Sequence, residues 1–174
     1  MAEKLKVRAP YDGHLIKEVD LDGDTRIEEA LTIADELLQK KPIPIPERIS
    51  ILNKTADLVE AKAEEFARQS AEEGGKPLID SRIELTRAVQ GIREAANSIG
   101  QLTGHEIPMN LTPSSMNRIA FTTREPIGIV AAISAFNHPF NLIVHQVIPG
   151  VAVGCPVIVK PARTTPLSLS LIHI

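Results

Sequence analysis

The chain has no tryptophan and a single cysteine, and only 3% of its 174 residues are aromatic. One cysteine cannot form an internal disulfide bond, and so few aromatic rings argue against a surface that stacks nucleic-acid bases. The net charge of −3 creates no basic field that would attract nucleic acid or an anionic membrane. No stretch approaches the roughly 18 apolar residues that span a bilayer, and the first six residues lack the apolar run of a signal peptide. These absences predict a cytoplasmic protein without a nucleic-acid or membrane partner.

The composition that remains is typical of one globular domain with a real core, since 43% of the residues are hydrophobic and 24% are charged. Apolar residues recur at helical spacing in three stretches. Thr25 and Glu28 fit a capping box at the start of the first stretch, and Pro46 suits the first turn of the second. The glycine pair Gly74-Gly75 is expected to end the second helix. The predicted helices cover about residues 25–38, 46–73 and 78–102.

Extended structure is predicted on both sides of these helices. Residues 1–22 suggest a short extended segment with a turn at Asp12-Gly13. Residues 105–118 are loop-like, and 118–125 alternate enough to form an exposed strand.

The stretch 127–160 predicts a strand, a helix and a second strand. Residues 127–133 are nearly all apolar, as expected for a strand that is covered on both faces, and 157–159 repeat that pattern. Between them, 140–153 reads as an amphipathic helix that Pro149 should make irregular. A right-handed crossover brings both strand ends, followed by Asn137 and Lys160, to one edge of a parallel sheet. Helices followed by this unit indicate an α/β fold.

Several motifs in this order resemble those of the aldehyde dehydrogenase superfamily, and the similarity runs to about Ser168. Three departures from the superfamily pattern stand out, because Ala135 and Phe136 replace a common Pro-Trp pair and Cys155 replaces an asparagine. The matching segments are Glu73-Gly-Gly-Lys76-Pro77, Pro126-Ile-Gly128-Ile-Val130, Ile133-Ser-Ala-Phe-Asn137-His-Pro139, Gly154-Cys-Pro-Val-Ile-Val-Lys160-Pro161 and Thr165-Pro166.

The resemblance implies an NAD(P)-dependent oxidoreductase that acts on a small aldehyde through a cysteine thiohemiacetal. It implies amino-terminal helices followed by the start of a Rossmann-like dinucleotide-binding domain over residues 1–168. It also implies that about 106–126 belong to a bridging strand segment and that the full-length relative is a homo-oligomer. A relative that transfers the acyl group to coenzyme A, and a noncatalytic nucleotide-binding module, are the alternatives.

The resemblance also assigns roles to individual residues. Asn137 corresponds to the catalytic residue that donates its amide to the oxyanion. Cofactor-binding positions correspond to Ile133, Ser134, Ala135, Phe136, Lys160, Ala162 and Arg163. Arginine pairs well with a phosphate, so Arg163 suggests tolerance of NADP beside NAD. From local sequence alone, a turn role for Asn137 and solvated side chains for Lys160 and Arg163 remain the alternatives.

The other candidate groups favour structural roles. Cys155 lies between a helix and a buried strand and is expected to be a small buried residue. The resemblance implies that the nucleophile, a cysteine, and the general base, a glutamate, lie downstream of this chain. The five histidines lack the spacing of a metal site. Glu72 and Glu73 are expected to cap or solvate a helix end and not to catalyse.

The last six residues, 169–174, depart from the superfamily pattern. They are the translation of CTGTCTCTTATACACATC, a transposon-end adapter used in sequencing libraries. We expect them to be a non-native tail.

Overall fold

Helices dominate the first hundred residues, and a parallel pair of strands follows. The computed structural model describes residues 3–40 and 42–170. In chain order the elements are β1 (Lys4–Arg8), β2 (Leu15–Asp20), α1 (Asp24–Gln39), α2 (Ile45–Ala61), α3 (Ala63–Gly74), α4 (Leu78–Ser98), β3 (Glu106–Ile107), β4 (Ala120–Phe121), β5 (Val130–Ile133), α5 (Pro139–Val153), β6 (Val157–Lys160) and α6 (Leu167–Ser170), with short 3₁₀ helices at Ile99–Gln101 and Pro113–Ser115.

The predicted amino-terminal turn is confirmed, because β1 and β2 form an antiparallel hairpin around residues 9–14. The predicted exposed strand over 118–125 is reduced to β4, which pairs antiparallel with β3. The loop predicted over 105–118 therefore contributes one short strand of its own. None of the helices in the described part of the chain is both long and apolar enough to cross a membrane.

Two details of the helix prediction are wrong. The capping box at Thr25 does not form, because α1 begins at Asp24 after Gly23, which makes no side-chain cap. The single helix predicted over 46–73 is broken at Lys62, whose φ of −111° and ψ of 14° are not helical. Val59 and Phe66 are buried on either side of the break. The apolar stripe thus continues from α2 into α3, and hydrophobic spacing alone does not reveal the break between the two helices.

The core lies where α2, α3, α4 and α5 meet. Phe66 of α3 stacks on Phe140 of α5, with ring centroids 5.3 Å apart, and both side chains are buried. Gly75 ends α3 in the left-handed conformation, with a φ of 65°, as the glycine pair predicts. The crossover helix is therefore packed against the amino-terminal helices, which form a single core with it.

The predicted strand, helix and strand are confirmed as a parallel unit, in which β5 pairs with β6 and α5 connects them. Helix α5 packs closely on the strands at Gly150, where an added Cβ would lie 2.6 Å from the Val157 side chain. Pro149 lies inside this helix, which continues past it to Val153 without a break at the proline. The expectation that the first strand is covered on both faces is wrong for the described residues. Ile133 is 70% exposed, because α5 covers only the opposite face.

Candidate functional site

The carboxyl ends of β5 and β6 form one edge of the parallel sheet. Ile133 and Lys160 are register partners, and the Ser134 amide donates a hydrogen bond of 2.9 Å to the Lys160 carbonyl. Register partners in neighbouring strands project to the same face, so these two side chains share the face that α5 leaves open. Both are exposed.

The loop after β5 carries the predicted oxyanion donor. Ser134 is buried, whereas Ala135, Phe136 and Asn137 are exposed. Among the described residues, the Asn137 side chain has no hydrogen-bond partner within the chain, so its amide remains available to a ligand. His138 is the N-cap residue of α5, which places Asn137 one position before the N-cap and two before the first helical residue, Pro139.

The loop after β6 carries the other predicted cofactor residues. Lys160 Nζ donates to the Pro161 carbonyl at 3.2 Å, Ala162 is half-buried and Arg163 is exposed. Within the described ranges, Arg163 has no carboxylate within 4 Å. The structure thus brings the predicted residues to one sheet edge on two adjacent loops.

Glu84 lines a cleft beside Asn137, and its position there was not predicted from the sequence. It is fully buried on α4, and its Oε1 accepts hydrogen bonds from the amides of Phe140 (2.8 Å) and Asn141 (2.9 Å) in the first turn of α5. Its Oε2 pairs with Lys76 Nζ, which in turn lies 3.2 Å from His138 Nδ1. The Lys76-Pro77 motif matches the superfamily pattern and pointed to this region. The sequence spacing did not connect that motif to the Glu84 carboxylate or to the Asn137 loop.

Arg48 plays the opposite role at the other end of α5. Its Nη1 donates to the Ala152 carbonyl in the last turn, and its Nε donates to the Ile43 carbonyl at 2.8 Å. Helix α5 has no acidic residue in its first turn and no basic residue in its last turn. Glu84 and Arg48 therefore supply from other helices the charges that complement its dipole.

Glu73 caps a helix end, as predicted. The helix is not its own: Glu73 is 1% exposed and caps the start of α6. Its carboxylate accepts bonds from the amides of Leu167 and Ser168, both at 2.8 Å, and from the Ser168 hydroxyl. Burial raises the pKa of Glu73, and the nearby charge of Glu84 acts in the same direction. Glu72 matches the expectation of an exposed position and contacts His14.

A cleft of about 300 Å³ opens beside Asn137. One wall is a single face of α4, because residues 80, 83, 84 and 87 are spaced by three and four. Arg82 and Arg93, elsewhere on α4, pair with carboxylates of α2 and α3. Arg87 instead faces the cleft, and no described carboxylate lies within 4 Å of it. Lys76, Asp80, Ile83, Glu84, Arg87, Asn137 and His138 line the cleft.

Cys155 is 4% exposed, as expected for a small buried residue, and its amide donates to the Gly150 carbonyl. Over the residues that the structure describes, no group of histidine, cysteine, aspartate and glutamate side chains is arranged to hold a metal ion.

The sheet edge suits a dinucleotide. Lys160 and Arg163 offer exposed donors to ribose hydroxyls or phosphates, and the exposed side chains of Ile133 and Phe136 offer apolar surface to a flat ring. In open α/β sheets, ligands bind outside the carboxyl ends of the strands.

The family model described as the aldehyde dehydrogenase family matches residues 1–173. The chain therefore belongs to the aldehyde dehydrogenase family. It is 37% identical over 166 residues to a 3-sulfolactaldehyde dehydrogenase of Priestia aryabhattai, and 33% identical over 166 residues to a lactaldehyde dehydrogenase of Methanocaldococcus jannaschii. Both alignments cover 95% of this chain and 35% of the relative. The chain thus spans about a third of the length of the curated relatives it matches.

A solved structure of glyceraldehyde-3-phosphate dehydrogenase from Methanocaldococcus jannaschii, complexed with NADP, superposes with a TM-score of 0.89 at 31% identity. The match covers 99% of this chain and 38% of that one. The α/β architecture predicted from the sequence is confirmed by this likeness.

Proposed function

We propose that this chain supplies the oxyanion donor and part of the dinucleotide site of an aldehyde dehydrogenase that oxidises a small aldehyde to its carboxylic acid. The observation that carries the proposal is the convergence of the Asn137 loop and the Lys160 loop at one edge of the β5–β6 pair. Membership of the family supports the reaction class, and the geometry of the two loops supports the part proposed for each residue.

In this reaction a cysteine thiolate attacks the aldehyde carbon, and the carbonyl oxygen becomes an oxyanion in a thiohemiacetal. Asn137 donates its side-chain amide to that oxygen. A preorganised donor of this kind stabilises a transition state by about 3–4 kcal/mol. NAD or NADP, held at the sheet edge by the residues named below, would supply the hydride acceptor, and a water molecule activated by a glutamate would then release the acid.

The nucleophile and the general base belong to parts of the intact enzyme other than these residues. Cys155 is buried, and the carboxylates of Glu73 and Glu84 both accept hydrogen bonds from backbone amides at helix starts. We therefore propose that the 174-residue chain by itself is inactive. A nucleotide-binding role without catalysis is the matching alternative for the isolated chain.

The cofactor is held by Lys160 and by the loops on either side of it. We propose that Lys160 binds the adenosine ribose, that main-chain groups of Ile133, Ser134, Ala135, Phe136 and Ala162 line the groove, and that Arg163 reads a 2′-phosphate. The exposure of Arg163 and the distance of carboxylates from it support tolerance of NADP.

The substrate is proposed to be a small aldehyde with an acidic tail. The cleft beside Asn137 contains two cationic side chains, and Glu84 neutralises Lys76. Arg87 is then the free cation of the described cleft, and Asp80 lies two helical turns earlier on α4. A guanidinium pairs strongly with carboxylate, sulfonate or phosphate oxygens. The similar 3-sulfolactaldehyde dehydrogenase is named for such a substrate.

Assembly and location stay predictions. The proposed bridging segment, about 106–126, exposes Leu111 (79%), Ile119 (88%) and Phe121 (70%), which supports its being covered in a homo-oligomer. The cytoplasmic location rests on the sequence alone. Leu169 and Ser170 extend α6, and residues 171–174 lie outside the described part, so the non-native tail also stays a prediction.

The proposed function is tested on the full-length protein that contains this chain. Reduction of NAD and NADP is followed at 340 nm with lactaldehyde and 3-sulfolactaldehyde. Turnover that is lost in the Asn137→Ala variant supports the proposal, and the absence of aldehyde-dependent reduction with either cofactor contradicts it.

A further inference from the structure

The position of Asn137 depends on where α5 begins. One residue, the N-cap His138, separates Asn137 from Pro139 at the first helical position, and Pro139 is fully buried. Any shift of the first turn of α5 therefore moves the Asn137 backbone with it. The exposed side chain has no bond of its own to another described residue that would correct such a shift.

Glu84 holds that first turn through one oxygen. Oε1 accepts the amides of Phe140 and Asn141, two of the donors that a helix start leaves unpaired. Because α4 packs along α5 through the core, the carboxylate fixes the start of α5 relative to the helix that lines the cleft.

The second oxygen of Glu84 fixes the residue next to Asn137. Oε2 pairs with Lys76 Nζ, and that ammonium lies 3.2 Å from His138 Nδ1. An ammonium can only donate, so in this contact Lys76 Nζ is the donor and His138 Nδ1 the acceptor. The chain Glu84–Lys76–His138 thus holds the side chain at the N-cap.

We propose that Glu84 is a positioning residue that orients Asn137 toward the oxyanion, through the first turn of α5 and through Lys76. The inference rests on the proposed function of Asn137. Both carboxylate oxygens already accept hydrogen bonds, so Glu84 acts by geometry and not by proton transfer. A misplacement of about 1 Å in a reacting site can cost on the order of 100-fold in rate.

The chain offers a matched control. Glu73 is also a buried glutamate on an amino-terminal helix, and it also caps the start of a later helix with two amide bonds of 2.8 Å. It caps α6 and does not line the cleft around Asn137. Its substitution should lower stability in the same way while leaving the Asn137 loop in place.

The test uses the full-length protein and compares Glu84→Leu, Glu84→Gln, Glu73→Leu, Asn137→Ala and the double variant of Glu84→Leu with Asn137→Ala. The measured quantities are the single-turnover rate of cofactor reduction, the Kd of the dinucleotide and Tm. Glu84→Gln keeps an acceptor for the two amides but loses the charge that binds Lys76, so it should fold even if Glu84→Leu does not.

We expect Glu84→Leu to slow the single-turnover step by about 10- to 100-fold with a dinucleotide Kd within about twofold of the parent, and Glu84→Gln to slow it less. Glu73→Leu should lower Tm similarly but keep the rate within about threefold. The double variant should be no slower than Asn137→Ala alone, because the two residues act as one unit.

The outcomes separate the two proposals. If Asn137→Ala keeps the parental rate, the oxyanion role fails, and the positioning role fails with it. If Asn137→Ala is slow, three outcomes would leave only the positioning role of Glu84 wrong. The folded Glu84 variants could keep the parental rate, they could slow it no more than Glu73→Leu does, or the rate loss of the double variant could equal the combined losses of its two single variants.

Discussion

Lys160 is the register partner of Ile133 in the parallel pair β5–β6, and the Lys160 carbonyl accepts the amide of Ser134 just beyond that pair. Both strands therefore end at the same level. The loop that carries Asn137 and the loop that carries Arg163 leave the sheet side by side, at the edge where open α/β sheets bind ligands.

Replacing Asn137 by alanine in the full-length enzyme should lower kcat by on the order of 100-fold. The reason is that the side-chain amide it removes donates a hydrogen bond to the negative charge that develops in the transition state. The affinity for the dinucleotide should change little. Steady-state kinetics with a fluorescence titration of cofactor separates the two effects. An unchanged kcat, or a loss confined to cofactor affinity, would leave Asn137 as a turn residue.

Replacing Arg163 by glutamate should shift cofactor preference from NADP toward NAD by roughly 1–3 kcal/mol, since a cation that can pair with the 2′-phosphate becomes an anion that repels it. The ratio of kcat/KM for the two cofactors gives the shift. Arg124→Glu, on another exposed arginine outside the two loops, is the control. A strong native preference for NAD, or an equal shift in the control, contradicts this assignment.

Replacing Arg87 by leucine should reduce kcat/KM for 3-sulfolactaldehyde by roughly 1–3 kcal/mol, as expected for a lost charge-assisted pair. Lactaldehyde lacks the sulfonate, so its kcat/KM should stay within about threefold. Arg82→Leu, which removes a guanidinium paired with Glu64, should affect neither substrate selectively. Equal losses for both aldehydes in Arg87→Leu would mean that Arg87 does not read the acidic tail.

Acid should weaken the contact between α3 and α4. The Arg82 guanidinium, with a further contribution from Arg68, lowers the pKa of Glu64 from 4.5 to about 2. A carboxylate with a lowered pKa contributes stability above its ordinary value and loses it as the pH falls from 4.5 toward 2. Glu64→Gln should therefore reduce the acid dependence of the unfolding free energy in that window, measured by urea denaturation.

Because both partners of this pair are exposed, the difference between parent and variant should shrink at high salt. A pH dependence that Glu64→Gln leaves unchanged at low salt would show that the pair does not couple folding to protonation.

The 174-residue chain alone should not reduce NAD or NADP with any small aldehyde. Its single cysteine is buried, and the thiolate rather than a buried thiol is the nucleophile in this chemistry. Spectrophotometry with lactaldehyde and 3-sulfolactaldehyde tests this expectation. Turnover that disappears in Cys155→Ala would overturn the structural role given to Cys155.

Much of the fold was readable from local patterns. Apolar spacing gave the helices that became α1 to α5, Gly75 marked the end of α3, and the two apolar runs gave the parallel strands. The family motifs placed Asn137 and Lys160 at strand ends, and the register of β5 with β6 agrees with that expectation. These features depend on neighbouring residues in the chain, so the sequence carries them directly.

Only the tertiary structure decided what surrounds Asn137. Glu84, Arg48 and Glu73 lie on amino-terminal helices and act on backbone groups between 56 and 104 residues away. A charged residue on a helix normally indicates a solvated face, and nothing in its local spacing tells which distant amide it will meet. These three side chains are buried because a packed helix end leaves backbone groups that need partners, and that requirement exists only once the chain has folded.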